Sequence, residues 1–326
     1  MIPVTVLTGF LGAGKTTLLK RILREPHAGR IAVIENELGE ESIDSEILVQ
    51  ERAESIVEMA NGCVCCTVRG DLIRVLGELA ERRAAGGVRF DRVIIETTGV
   101  AAPGPVAQTF LAADGGAGVG RHYRLDAVIT LVDAKHADAQ LDAFPEAQEQ
   151  VGFADRILVS KADLVDAPRL AALRERLAEM NPRAPITEVH FGAVPIEHLL
   201  DIGGFRPDAL PVPAPGVMAH RRQSARDEVS AFVFRAARPF DASRLEAFLG
   251  AMVEVYGSDL LRYKGVLHLA GNPDRVLFQG VGTVMSGSLG RAWTAGEPRT
   301  SVLVFIGRRL PQDLFIEGLE QCLEPQ

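Results

Sequence analysis

Over positions 1–205, short apolar runs alternate with stretches whose apolar residues recur at three- and four-residue spacing. The runs predict strands at 2–8, 30–35, 54–59, 91–96, 125–132, 155–160 and 186–190, most of them bounded by Gly, Pro or Asp. The intervening stretches predict helices near 15–24, 71–84, 103–112, 145–152 and 166–180. In the second of these, Leu72, Val75, Leu76 and Leu79 share one face. Such alternation predicts an α/β fold with a doubly wound, mainly parallel sheet, whose ligands bind beyond the carboxyl ends of the strands.

The pattern breaks at 206–228, where Pro207, Pro211, Pro213, Pro215 and Gly216 precede His220-Arg221-Arg222, and this stretch reads as a linker. Beyond it, Glu228–Phe234 reads as a strand. Asp241 can cap a helix carrying Leu245, Phe248, Leu249, Met252 and Val253 on one face. Further strands are predicted at Gly265–Ala270, Arg275–Val281 and Ser301–Ile306, with a last helix from Gln312. The predicted organisation is therefore a doubly wound α/β domain at 1–205, a linker at 206–228 and a smaller α+β domain at 229–326.

The first predicted strand runs into Gly9-Phe10-Leu11-Gly12-Ala13-Gly14-Lys15-Thr16, a complete G-x-x-x-x-G-K-[ST] loop, and Thr17, also expected to bind the nucleotide, continues into a helix. Glycines at a strand-to-helix turn let backbone N–H groups of Gly9, Gly12, Ala13 and Gly14 wrap a polyphosphate. Lys15 reaches the β- and γ-phosphates, the Thr16 hydroxyl is placed for Mg²⁺, and the helix dipole adds to the attraction. The bland alternative is a glycine-rich turn without nucleotide.

Two later segments extend that chemistry. Arg92-Val93-Ile94-Ile95-Glu96-Thr97-Thr98-Gly99 is an apolar strand ending in an acid, from which Glu96 can hold the magnesium shell or orient water, while Gly99 can bring an N–H close to the γ-phosphate. Ser160-Lys161-Ala162-Asp163 is a variant of the guanine-reading N-K-x-D tetrapeptide. Asp163 can accept from guanine N1–H and the 2-amino group, which adenine does not offer, and Lys161 lays its stem against the base. A polar loop capping the next helix would explain the same residues.

A formal charge of −8 argues against a broad nucleic-acid or anionic-membrane surface, and no apolar stretch reaches the length of a bilayer span. The first segment lacks the basic start and cleavage site of a signal peptide, so a cytoplasmic location is expected. Three of four cysteines fall in Cys63-Val64-Cys65-Cys66, and in the cytosol such clustering points to metal or redox chemistry. Three soft ligands within four positions suit zinc and leave a fourth position open to another side chain, water or a client ligand. Thiolates also accept Co²⁺ and Ni²⁺. Small buried hydrophobes in a tight turn, or a thiol–disulfide switch, are the alternatives.

Thr8 to Leu19, Glu35-Asn36-Glu37-Leu38-Gly39-Glu40, Asn61 to Cys66, Glu96 to Gly99, Ser160 to Asp163, Leu261-Arg262-Tyr263-Lys264-Gly265 and Leu277-Phe278-Gln279-Gly280 together resemble the CobW-like metal-associated GTPases over nearly the whole chain. The resemblance implies a GTPase, using GTP/GDP with Mg²⁺, that binds Zn²⁺ or a similar metal and helps load it into a client metalloprotein. It favours Glu35 as a carboxylate partner of Cys65 and Cys66. A homodimer is a further expectation, since no residue identifies itself as an arginine finger and a client or second subunit would complete the site. A P-loop small-molecule kinase and a nucleotide-bound zinc or redox sensor are the competing readings.

The interval between the phosphate loop and Glu96 holds Glu35 to Asp44 and the cysteines, so metal and γ-phosphate are expected to share one movable element. Glu37, Glu40 and Asp44 are candidates for magnesium or water positioning, although solvated charges on a loop are the more usual explanation for each. Two departures from the family pattern stand out. Val100-Ala101-Ala102-Pro103 lacks the aspartate that often precedes this proline, and the linker carries His220 alone in place of a histidine-rich stretch. The remaining histidines, and Cys322 near the C-terminus, read as packing or surface residues.

Overall fold

The computed structural model describes residues 1–24, 29–35, 56–58, 68–111, 115–205, 227–294 and 296–325. They fall into two compact units, Met1–Arg176 with Ala184–Phe205, and Leu177–Arg183 with Arg206–Gln326.

Among the described residues the first unit has the strands β1 (Ile2–Gly9), β2 (Ile31–Glu35), β3 (Ile56–Glu58), β4 (Arg92–Glu96), β5 (Tyr123–Asp133), β6 (Arg156–Ser160) and β7 (Ile186–Val189). Its helices are α1 (Lys15–Arg24), α2 (Val68–Ala84), α3 (Gly104–Leu111), α4 (Gly115–His122), α5 (Ala137–Ala143), α6 (Pro145–Phe153) and α7 (Ala167–Met180). The strands form one sheet in the order β3-β2-β4-β1-β5-β6-β7, with every pairing parallel. Parallel neighbours need crossovers, and where the connecting chain is described its helices supply them. Because helices cover both faces, strands such as β4 read as apolar throughout: Val93, Ile94 and Ile95 are all buried. In α1, Leu18, Leu19 and Ile22 are buried, and Arg21 and Arg24 occupy the last turn, where the helix dipole favours cations.

The second unit is an antiparallel sheet in the order β11-β10-β9-β12-β8, made of β8 (Val229–Ala236), β9 (Leu260–Leu267), β10 (Asp274–Val281), β11 (Val284–Ala292) and β12 (Ser301–Arg308). Its described residues also include the helices α8 (Ala242–Tyr256) and α9 (Gln312–Gln321). The Asp241 carboxylate accepts from the Arg244 N–H at 2.8 Å and starts α8 as its spacing predicts. Leu245 and Leu249 are buried, with Phe248, Met252 and Val253 packed beside them. The core is aromatic: Phe305 stacks on Phe232 with centroids 5.2 Å apart and meets Phe315 edge-on at 5.2 Å. Tyr263 lies in the same core, its hydroxyl donating to the carbonyls of Gly282 and Val284, and burial pushes its phenol well above the ordinary range. Gly280 is required there, because a Cβ would lie 2.1 Å from the Tyr263 ring. Cys322 is buried against the last helix, its thiol donating to the Gly318 carbonyl.

Several boundaries differ from those the sequence predicts. The strand placed at 265–270 is β9, five residues earlier, because Arg262 and Lys264 are buried within it at 2% exposure. Their charges disguise a central strand. No strand is predicted over β11, whose residues are largely exposed on both faces and show no apolar alternation. The helix predicted at 103–112 is followed by a second, α4, whose Gly-rich sequence reads as a loop, and α5 is also unanticipated. Only 56–58 of the strand predicted at 54–59 is described, and the proposed linker lies outside the described residues up to 226.

Candidate nucleotide and metal site

The carboxyl end of β1 opens into the phosphate-type loop at the centre of the sheet, with β4 on one side and β5 on the other. Gly9 takes φ 138° and lies hard against β5: a Cβ there would sit 2.2 Å from the Leu131 carbonyl oxygen. Gly12 and Gly14 have φ of 73° and 95°, which turn the backbone as a nest of N–H groups requires. Ala13 is buried beneath this turn and donates its N–H to the Phe10 carbonyl at 3.1 Å. Lys15 is 9% exposed and its Nζ donates to the carbonyls of Gly9 at 3.0 Å and Phe10 at 3.2 Å, which holds the ammonium against the loop. Thr17 faces solvent in the first turn of α1.

One residue along, the Thr16 hydroxyl donates to Glu96 Oε1 at 3.0 Å. Register explains the meeting. Leu7 and Glu96 are paired across β1 and β4, so the acid that ends β4 projects beside the first turn of α1. The next residues are tied down in turn, Thr97 N–H to the Leu7 carbonyl and Thr97 Oγ1 to Thr8 Oγ1 at 2.8 Å. Gly99 then passes against the loop so closely that a Cβ would lie 2.7 Å from Leu11 Cα and 2.9 Å from Leu11 N. Gln150, fully buried in α6, donates to the carbonyls of Gly99 and Ala101 at 3.3 and 3.0 Å.

On the other side, Ser160 at the end of β6 donates its hydroxyl to the Ala13 carbonyl at 2.8 Å, so the residue standing in place of the usual Asn fastens this loop to the phosphate-type loop. Lys161 has φ 57°, and its Nζ reaches the Gly12 carbonyl at 2.9 Å and Asp133 Oδ2 at 2.7 Å. Asp163 follows in a 3₁₀ turn at Ala162–Leu164, half-exposed, with His190 Nδ1 3.5 Å away. Asp133 organises this corner. It is 1% exposed and accepts from Lys161, from the Lys135 N–H at 2.9 Å and from His136 Nδ1 at 2.9 Å. Burial pushes its carboxyl up, but the hydrogen bonds from His136 and Lys161 outweigh that and hold it below the usual carboxylate range.

Asp133 and Gln150 are not singled out by the sequence, and His136, which reads there with the other histidines as a packing or surface residue, instead meets Asp133. For Asp133 a signal existed, since Leu131-Val132-Asp133 is an apolar strand ending in an acid, as Ile95-Glu96 is. His136 is three residues further on, and Gln150 carries no local pattern.

The proposed metal ligands are only partly in view. The backbone of Glu35 ends β2 in register with Glu96 on one side and with Glu58 on the other. Glu58 is the last residue of β3, and the chain resumes at Val68 in α2. Cys63, Cys65 and Cys66 fall between these points, outside the described residues, as do Glu37, Glu40 and Asp44. Among the described residues no three His, Cys, Asp or Glu side chains gather as a metal site would need, and no helix is long and apolar enough to cross a membrane.

A glycine nest at a helix N-terminus, a lysine and a hydroxyl–carboxylate pair, with the Ser160–Asp163 loop tied to the same turn, define a P-loop nucleotide-binding protein. Residues 3–188 match the family described as CobW/HypB/UreG, nucleotide-binding domain, and residues 229–323 match the Cobalamin synthesis protein cobW C-terminal domain. The chain belongs to the CobW family of P-loop GTPases. It is 42% identical over 312 residues to the zinc chaperone YjiA of Escherichia coli, covering 96% of each chain. It is 36% identical over 358 residues to the zinc chaperone CobW of Pseudomonas aeruginosa, covering 99% of this chain and 92% of that one. Among solved structures, zinc(II)-bound YjiA GTPase from E. coli is similar at TM-score 0.78 and 36% identity, with 99% of both chains covered.

Proposed function

We propose that this GTPase is a zinc chaperone: it carries Zn²⁺ as cargo on Cys63, Cys65 and Cys66 with Glu35, and couples GTP hydrolysis to delivery into a client metalloprotein. The observation that carries the reading is one of register. Glu35 is the strand neighbour of Glu96, and Glu96 is hydrogen-bonded to Thr16 at the nucleotide loop. A ligand at Glu35 and a γ-phosphate near Thr16 would therefore act on adjacent strand ends. The names of similar proteins add support, since two are zinc chaperones. Thiolates would accept Co²⁺ or Ni²⁺ as well, so selection rests on supply and geometry.

In this reading Gly9, Gly12, Ala13 and Gly14 direct N–H groups at the phosphates, and Lys15 exchanges its two carbonyl contacts for phosphate oxygens. The oxygens of Thr16 and Glu96, 3.0 Å apart, form a hard donor set suited to Mg²⁺, which when bound would neutralise phosphate charge. Gly99, anchored by Gln150, offers its N–H to the γ-phosphate. Asp163 reads the guanine edge, while Lys161, held by Asp133, presents its stem to the base.

Two variants test the assignment. Lys15→Ala should abolish GTP turnover and leave zinc binding intact. The double change Cys65→Ser with Cys66→Ser should remove tight zinc binding and leave turnover in place. Zinc binding undiminished in the cysteine variant would overturn the cargo site.

A further inference from the structure

Among the described residues β11 pairs on one side alone, with β10, and forms an edge of the second unit's sheet. Natural edges of this length are blunted by proline, by several charges or by an interrupting bulge. From Val284 to Leu289 the pairing with β10 is regular, the register shift falls beyond Leu289, and Arg291 is the one charged residue of the strand. Met285 and Leu289 are nevertheless exposed, at 39% and 68%. Their cross-strand partners are Gly280 and Val276, and Gly287 between them opposes Phe278 of the aromatic core. The two apolar side chains thus stand on the core-bearing face, where that face runs out to the open edge.

The order of residues is symmetric about Gly287: Met285-Ser286-Gly287-Ser288-Leu289 reads apolar, Ser, Gly, Ser, apolar in either direction. Antiparallel pairing of two identical strands about their centre is an isologous contact, in which each position meets its mirror position. We propose that β11 pairs with β11 of a second copy of this chain about Gly287, joining two five-stranded sheets edge to edge. Met285 then opposes Leu289 of the partner, Ser286 opposes Ser288, and Gly287 meets its own equivalent, with no side chain to crowd the two-fold axis. A one-residue slip destroys the match by setting serine against apolar positions. The second copy is favoured over a foreign strand because an arbitrary peptide has no reason to repeat this order. The inference is independent of the metal chemistry proposed above.

Paired charges test the register. In one strand positions 285 and 289 are roughly 13 Å apart and do not meet, whereas opposite residues of paired strands have Cβ atoms about 5 Å apart. Met285→Glu with Leu289→Glu sets like charges opposite each other twice; Met285→Lys with Leu289→Glu sets opposite charges there twice. Sedimentation equilibrium of the full chain, with chelator and reductant present so that the cysteines do not link copies, reads the outcome. The wild-type chain should pass reversibly from one-chain to two-chain mass with a dissociation constant on the order of tens of micromolar, as a small interface gives. The like-charge variant should weaken dimerisation more than about tenfold, and the opposite-charge variant should stay within about threefold of wild type. Equal unfolding midpoints for the variants exclude a folding defect. A one-chain mass throughout, or equal loss in both variants, overturns the proposal. So does protection of the β11 amides that requires a different protein.

Discussion

Replacing Gly99 by Ala isolates the contact between the segment after Glu96 and the nucleotide loop. No unusual dihedral is demanded there, so the effect is one of space alone. The added methyl would lie 2.7 Å from Leu11 Cα and 2.9 Å from Leu11 N, against an ordinary contact of about 3.4 to 4 Å, so one backbone must retreat by roughly 0.7 Å or more. The segment after β4 is pinned by Gln150 and Thr97, whereas Leu11 is 69% exposed in a loop, so Leu11 is the side that gives. Overpacking of this kind costs about 1–3 kcal/mol where surroundings are rigid, and the lower end applies at an exposed loop. Catalysis should suffer more, since an ångström of misplacement costs about 100-fold in rate. Single-turnover GTP hydrolysis measured beside thermal unfolding separates the two effects. The expected result is a turnover loss on the order of 100-fold with about 1 kcal/mol lost in stability. Turnover within about threefold of wild type would refute the view that Gly99 sets the loop's position.

Asp133→Asn keeps the shape but points an amide at Lys161 and His136, so two charge-assisted contacts are lost; GTP and GDP affinity should both fall by roughly tenfold to thirtyfold in calorimetric titration, with turnover at saturation nearly unchanged. The same residue gives a pH test. A carboxyl held below its unfolded value near 3.9 contributes stability that is complete above that pH and is lost as pH falls through the folded value, so denaturation from pH 7 to about 2.5 should show a gap between wild type and Asp133→Asn that closes on acidification. Asp163→Asn replaces two acceptor oxygens with one acceptor and one donor, so affinity should shift from guanine toward xanthine nucleotides by at least about tenfold in competition binding.

The phosphate-type loop was legible because its function constrains backbone and side chain together: Gly9 has no room for a Cβ, and Lys15 and Thr16 follow at fixed spacing. Glu96 was legible as the acid closing an apolar strand. Asp133 ends β5 in the same way, yet its importance comes from Lys161 and His136, which meet it only in the fold. Ser160 reads as the variant position of a guanine-type tetrapeptide, but that its hydroxyl spans to the Ala13 carbonyl, across 147 residues, is encoded in no local pattern. The parallel sheet could be read because burial on both faces makes its strands uniformly apolar. β11 could not, because an edge exposed on both faces leaves no periodicity, and β9 was displaced by the charges of Arg262 and Lys264.

The shared element between metal and nucleotide is tested most directly by zinc titration against a competing chelator, once in GDP and once in a non-hydrolysable GTP analogue, each with Mg²⁺. Coupling through the adjacent ends of β2 and β4 predicts zinc affinities that differ by more than about fivefold, with zinc shifting the preference between the two nucleotides by the same factor. Identical zinc affinities in the two nucleotides would contradict it.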